Sequence, residues 1–206
     1  MENGGQIKDR EKKLVLDMDS TLLSSIVLTE EEWKEVMKNY GEKLRKNKYF
    51  YEFKMSDGTY IIGMFRPGLW KFLEFAFENF SEVIIWSAGE DEYVMLACKE
   101  MFKGKRYRPH QIYPRSSCAK AYDEKKEREV FWKPLLHIYS NHPGANASNT
   151  LIIDDNEEYT KEDILNWLYI RPFDISIGNF KKKDNELRKM KKKLIPYLSA
   201  SNVQAV

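Results

Sequence analysis

The stretch LVLDMDSTLLSS, from Leu14 to Ser25, decides how this chain is read. A short apolar run ends in two carboxylates, Asp17 and Asp19, and Thr21 follows two residues later. In a strand, residues i and i+2 point to the same side. Even if the chain bends after Asp17, two carboxylates converge just past the strand's end. Two anions held together are costly unless a cation or a shared proton offsets the repulsion. That geometry suits a Mg²⁺ site in which one carboxylate is a nucleophile and the other a proton donor. Alone, the stretch also reads as a strand and a turn, because Asp, Ser and Thr are common turn formers. The segments downstream decide between the two.

Three apolar runs have the look of strands: Lys13 to Leu16, Val83 to Trp86, and Thr150 to Ile153. Continuous apolar runs are what parallel strands covered on both faces require. Each ends in polar groups: Asp17 and Asp19, then Ser87, then Asp154 and Asp155. Helical patterns separate them. Thr29 to Leu44 carries Trp33, Val36, Met37 and Tyr40 on one stripe, with Gly41 as its expected stop. LWKFLEFAFENF follows Arg66-Pro67-Gly68, a proline suited to a helix's first turn. Tyr93 to Phe102 reads as a further helix, and Asp184 to Leu198 as an amphipathic terminal one with Leu187, Met190, Leu194, Ile195 and Leu198 on its apolar side. Ile164 to Ile170 continues the alternation. Two β-rich runs between Tyr49 and Phe65 flank Ser56-Asp57-Gly58, a hairpin signal. Arg106 to Val130 is irregular and reads as an insertion. The alternation predicts an α/β fold with a doubly wound, mostly parallel sheet. The expected layout is a loose N-terminus at residues 1–12, one domain over 13–199 with insertions at about 45–65 and 106–130, and a tail at 200–206.

At 206 residues the chain is long enough for one such domain. With 42% hydrophobic and 32% charged residues it falls among globular chains. The formal net charge of +2 does not by itself argue for nucleic acid. Lysines crowd Lys181 to Lys183 and Lys189 to Lys193, and such a run on a helix usually forms a solvated face. Cys98 and Cys118 form no Cys-x-x-Cys pair and only three histidines are present, which argues against zinc. Cys98 sits in an apolar helical pattern and reads as core. Met1 to Arg10 has no apolar core of a signal peptide, and no run approaches a membrane span. An intracellular setting, nucleus or cytoplasm, is the expectation.

In open α/β sheets the ligand crevice lies beyond the carboxyl ends of the strands. One parallel sheet would therefore gather the three polar ends, with Lys133 of FWKPLL as a fourth candidate. This order of motifs resembles the haloacid dehalogenase superfamily. It is most similar to the branch of FCP/SCP-like phosphatases, also described as NLI-interacting-factor-like, which act on the C-terminal domain of RNA polymerase II and related phosphoproteins. DMDSTLL matches the branch's D-x-D-x-T-L signature, and FRPGLWKFLEF matches its Arg-Pro before the first long helix. VIIWSAGEDEYV, WKPL and TLIIDDNEEY match its hydroxyl, lysine and acidic motifs. The resemblance runs from about Leu14 to Leu198.

The resemblance implies a three-layer fold without a large cap and a Mg²⁺-dependent phosphoserine/phosphothreonine phosphatase. It implies that Asp17 forms an aspartyl-phosphate and that Asp19 protonates the leaving oxygen, then activates water. Ser87, Lys133 and Thr21 would bind the phosphoryl group. Asp17, Asp155, Asp154 and the Asp19 carbonyl would hold the metal. Lys120 is the rival to Lys133, because the preceding insertion blurs the alignment. Ser87 also fits a helix N-cap before Glu90. Ser87 stands where Thr is commoner, and Asp155 where some relatives carry Asn. Arg66 reads as structural. An aromatic and basic surface, Tyr49 to Phe53 and Arg106 to Arg115, is the expected seat of a phosphopeptide. Two other readings remain open: the same chemistry on a small metabolite or nucleic-acid phosphate, with nucleic acid the weaker partner, and a non-catalytic scaffold on the same fold.

Overall fold

The computed structural model describes residues 11–124, 127–159, 163–180 and 183–206. Residues 1–10, most of the expected loose N-terminus, lie outside them, as do Lys181 and Lys182. The chain runs β1 (Lys13–Leu16), β2 (Leu23–Leu28), α1 (Glu30–Arg45), β3 (Phe50–Lys54) and β4 (Tyr60–Phe65). It continues through α2 (Leu69–Asn79), β5 (Glu82–Trp86), α3 (Asp91–Phe102), β6 (Gln111–Tyr113), β7 (Ala119–Asp123) and β8 (Arg128–Trp132). The last elements are α4 (Leu135–Asn141), β9 (Thr150–Asp154), β10 (Trp167–Tyr169) and α5 (Glu186–Ser199).

The central sheet has the order β10-β9-β1-β5-β6, and its pairings are all parallel. The three predicted apolar runs are its three middle strands. Alternate side chains feed two cores, as the period of two demands. Leu14, Leu16, Val83, Ile85, Leu151 and Ile153 pack with residues of α2, α3 and α5. Val15, Ile84, Trp86 and Ile152 pack with Leu135 and Ile138 of α4. The result is a three-layer α/β fold. Fully burying one such aliphatic side chain stabilises the fold by about 1.5–3 kcal/mol. The lysines of α5 lie on its solvent side, while Leu187, Met190 and Leu194 are buried. Ile195, expected on that apolar side, is exposed. Past α5, Val203 is buried and its N–H donates to Ser148 O.

A second sheet, β2-β4-β3, is antiparallel. The hairpin β3-β4 forms around Asp57-Gly58 as predicted, with Gly58 at φ 93°. Strand β2 was not foreseen. It exists because the chain reverses after Asp19 through Ser20 at φ 56°, with Leu22 and Leu23 N–H donating to Met18 O. Helix α1 starts with a capping box, Thr29 Oγ1 accepting from Glu32 N–H and Glu32 accepting from Thr29 N–H. Gly41 does not end it. The glycine is buried inside α1, where a Cβ would stand 3.0 Å from the Met37 Cε, and burial of Leu44 carries the helix another turn. Pro67 also lies outside its helix: Gly68, at φ 87°, is the N-cap of α2.

The segment Arg106 to Val130 is more regular than its composition implies. It holds β6, the edge of the main sheet, and most of the hairpin β7-β8. Strand β6 pairs with β5, far away in sequence, while β7 and β8 pair with each other but are too exposed to carry an apolar period. Cys98 is buried in the core, as expected.

Candidate active site

Sheet register places the acidic groups. Val15 pairs with Ile152 and Leu16 with Ile153, so the next position along both strands brings Asp17 beside Asp154. Both lie on the α4 side of the sheet, by parity with Val15 and Ile152. Lys133 stands just before Leu135, the first residue of α4, and so enters from that side. Its Nζ donates to Asp17 Oδ1 at 2.5 Å and to Asp154 Oδ2 at 2.8 Å. Lys133 and Asp154 are both 0% exposed. Lys120 is on the β7-β8 hairpin, 61% exposed, and pairs with Glu129. The structure thus brings Lys133 to the acidic cluster and leaves Lys120 at the surface.

Asp155 lies within the same cluster: one oxygen from each of Asp17, Asp154 and Asp155 lies within 4.8 Å of the others. Asp154 is fully engaged, because its Oδ1 accepts from Asn156 N–H. Asp17 Oδ2 is buried and accepts no hydrogen bond among the described residues. The three carboxylates and one ammonium carry a formal charge of minus two. An all-oxygen set with that charge and an unsatisfied buried oxygen fits Mg²⁺. Thr21 is fully buried and its hydroxyl reaches Asp155 Oδ1 at 3.5 Å, so the hydroxyl meets the acidic cluster.

Burial raises the pKa of Asp17 well above the usual carboxylate range. Lys133 pulls it down, and Asp154 and Asp19 push it up. Burial opposes the Lys133 ammonium, but Asp154 and Asp17 together outweigh it and hold the group charged. Burial, with Asp154 beside it, pushes Asp155 up to about 6.

The Asp19 carboxyl turns away from that cluster. Its Oδ2 accepts from the Ser87 hydroxyl at 3.0 Å and its Oδ1 from the Tyr93 hydroxyl. Burial raises its pKa, partly offset by those two hydrogen bonds. Ser87 Oγ accepts from Gly89 N–H at 2.9 Å, and the N-cap of α3 is Glu90, so Ser87 does not cap that helix. Tyr93 was not foreseen as part of the site. Its place in the apolar pattern of α3 hides a hydroxyl that reaches Asp19.

A groove of about 480 Å³ opens beside Asp19, lined by Val27, Met55, Ile61 and Tyr93, with Asp57 and Arg115 on its polar side. The expected aromatic and basic surface is largely elsewhere. Arg106 pairs with Glu74 and Glu78, and Tyr51 is buried. Arg115 alone of that arginine group lines the groove. A larger cavity of about 650 Å³, lined by Tyr40, Lys43, Tyr49 and Phe180 among others, contains none of the strand-tip residues. Arg66 is structural, as expected: fully buried, it pairs with Asp184 and donates to the carbonyls of Ser20, Thr21 and Arg171, holding the turn after Asp19.

Among solved structures, the chain is similar to "Fcp1, an essential RNA polymerase II CTD phosphatase", with a TM-score of 0.61 and 18% identity, covering 90% of this chain and 49% of that one. It is similar also to fission yeast Fcp1-R271A bound to beryllium fluoride, with a TM-score of 0.58 and 18% identity, covering 91% and 51%. The chain therefore spans about half the length of each. At this identity the likeness is one of fold. No curated protein matches the chain. The family model of the NLI interacting factor-like phosphatases matches residues 12–205. Nearly the whole described chain, with every strand tip that carries a reactive group, lies inside that match, and the protein belongs to the NLI interacting factor-like phosphatase family.

Proposed function

We propose that the protein is a Mg²⁺-dependent phosphoserine/phosphothreonine phosphatase that works through an aspartyl-phosphate. The observation that carries this reading is Asp17 Oδ2. It is buried and has no hydrogen-bond partner among the described residues, while its companion Oδ1 accepts from Lys133. Asp17 attacks phosphorus through this oxygen. The bond from phosphorus to the leaving oxygen breaks, and Asp19 gives that oxygen its proton. Water then attacks the aspartyl-phosphate, Asp19 takes the water's proton, and phosphate leaves with Asp17 restored. Lys133 opposes the charge on Asp17 and on the transferring group, and Ser87 donates to a phosphoryl oxygen. Asp17, Asp155 and the Asp19 carbonyl, with Asp154 through a water, would hold Mg²⁺, which would supply the remaining positive charge. Positioning and charge neutralisation dominate phosphoryl transfer, so these groups suffice.

The open groove supports a macromolecular substrate, and no large cap covers it among the described residues. The polymerase-tail activity of the similar Fcp1 makes phosphorylated tail repeats the first substrate to try, which would place the protein in the nucleus. The test is phosphate release from a small aryl phosphate and from a phosphopeptide panel that includes those repeats, beside a phosphorylated nucleic acid. We expect Mg²⁺-dependent turnover, lost in Asp17→Asn. Undiminished turnover in that variant, or in excess chelator, would overturn the mechanism. Preference for the nucleic acid would overturn the substrate.

A further inference from the structure

We propose that Tyr93, backed by Ser25 and Tyr51, is a positioning residue that fixes the Asp19 carboxyl for proton delivery to the leaving oxygen. This rests on the reading of Asp19 as the proton donor and adds a part to it. The groups come from four separate elements. Tyr51 lies on β3, Ser25 on β2, Tyr93 on α3, and Asp19 just past β1. Their side chains form one line of hydrogen bonds. Tyr51 Oη lies 2.6 Å from Ser25 Oγ, Ser25 Oγ lies 2.6 Å from Tyr93 Oη, and Tyr93 donates to Asp19 Oδ1.

The directions of the protons follow from the acceptor at the end. The ionised carboxylate only accepts, so Tyr93 donates to its Oδ1, and Oδ1 can go on accepting when Asp19 carries its proton on the other oxygen. The Tyr93 oxygen is then free to accept from Ser25, and Ser25 to accept from Tyr51. Ser25 and Tyr93 are each both donor and acceptor, and Tyr51 donates at the head of the line. Burial keeps both phenols protonated, with Asp19 adding to the effect at each.

The backbone makes room for the line. Tyr51 is cross-strand partner to Gly63, and a Cβ there would lie 2.2 Å from the Tyr51 Oη and Cζ. Only a residue without a side chain lets the phenol lie across β4 and reach Ser25. Without substrate, Ser87 donates to the other Asp19 oxygen. When the Ser87 hydroxyl turns to a phosphoryl oxygen, the Tyr93 hydrogen bond is the one that still holds the carboxyl in place. A proton donor set in this way matters most where the leaving oxygen is a poor leaving group, because such an oxygen needs the proton in the transition state.

The test is a series of substituted phenyl phosphates of nearly equal size but different leaving-group acidity, assayed with Mg²⁺. For Tyr93→Phe we expect kcat/KM on phenyl phosphate to fall about tenfold, the worth of one hydrogen bond to a charged group, and on p-nitrophenyl phosphate to fall less than about threefold. Tyr51→Phe, which keeps Tyr93 in place, should shift the series the same way by a smaller factor. An equal fall across the series, a rise in KM alone, or no change in either variant would overturn the proposal. If the wild-type protein hydrolyses none of the series, the phosphatase reading itself fails, which is a different result.

Discussion

Replacing Lys133 with methionine keeps most of the stem and removes the charge. Two buried carboxyl groups, Asp17 and Asp154, then face each other without their cation, and Asp155 stands within the same 4.8 Å cluster. Breaking a buried pair by removing one partner costs about 3–5 kcal/mol, because the remaining charge is left uncompensated. That is a large part of the roughly 5–15 kcal/mol that separates folded from unfolded domains. For a chain of this size each kcal/mol moves the melting temperature by about 2–4 °C, so the variant should melt roughly 6–20 °C lower. The loss should be greatest at pH 8 in chelator. Asp17 is already held above its ordinary range, so in the variant its folded pKa exceeds the unfolded value even further. A raised folded pKa gives stability that is full below the unfolded pKa and is lost as pH rises through the folded one. Acidification should therefore shrink the gap between variant and wild type. Millimolar Mg²⁺ should shrink it too, since a ligand bound only by the folded state stabilises that state. The assay is thermal melting followed by circular dichroism at pH 5 and pH 8, with chelator and with Mg²⁺. A variant that melts within about 2 °C of wild type at pH 8 in chelator would refute the pairing, because even the low end of the cost requires more.

Two further outcomes follow from the same groups. Asp155 must be ionised to hold a cation, and its pKa stands at about 6 in the metal-free protein, so Mg²⁺ affinity should weaken as pH falls from 7 to 5. Calorimetric titration of Mg²⁺ at those two pH values checks this, and unchanged affinity would contradict the assignment. Gly63→Ala forces a Cβ to within 2.2 Å of the Tyr51 ring and 2.7 Å of the Ser24 carbonyl oxygen. Overpacking of this kind costs about 1–3 kcal/mol. Urea unfolding should show the loss, and a variant as stable as wild type would mean that Tyr51 does not lie across β4.

The strand tips were legible because burial on both faces leaves a strong local signature. Leu14 to Leu16, Val83 to Trp86 and Leu151 to Ile153 are apolar without interruption, and a polar residue ends each run. Strand β6 gave no such signal, since an edge strand of three residues is half covered and gains its definition from β5. Gly41 misled for a related reason. Glycine is a poor helix former in isolation, costing about 1 kcal/mol, but the packing of Leu44 outweighs that preference.

The sequence alone settled the fold class and the acidic strand ends, because these depend on residues close together along the chain. Only the tertiary structure chose Lys133 over Lys120, engaged Asp154 with that lysine, and carried the hydroxyl of Tyr93 to Asp19. Those outcomes depend on sheet register and on helix direction, which bring together groups as far apart as Asp17 and Lys133. A buried charge is tolerated only where its partner arrives, and which lysine arrives is decided by the whole fold.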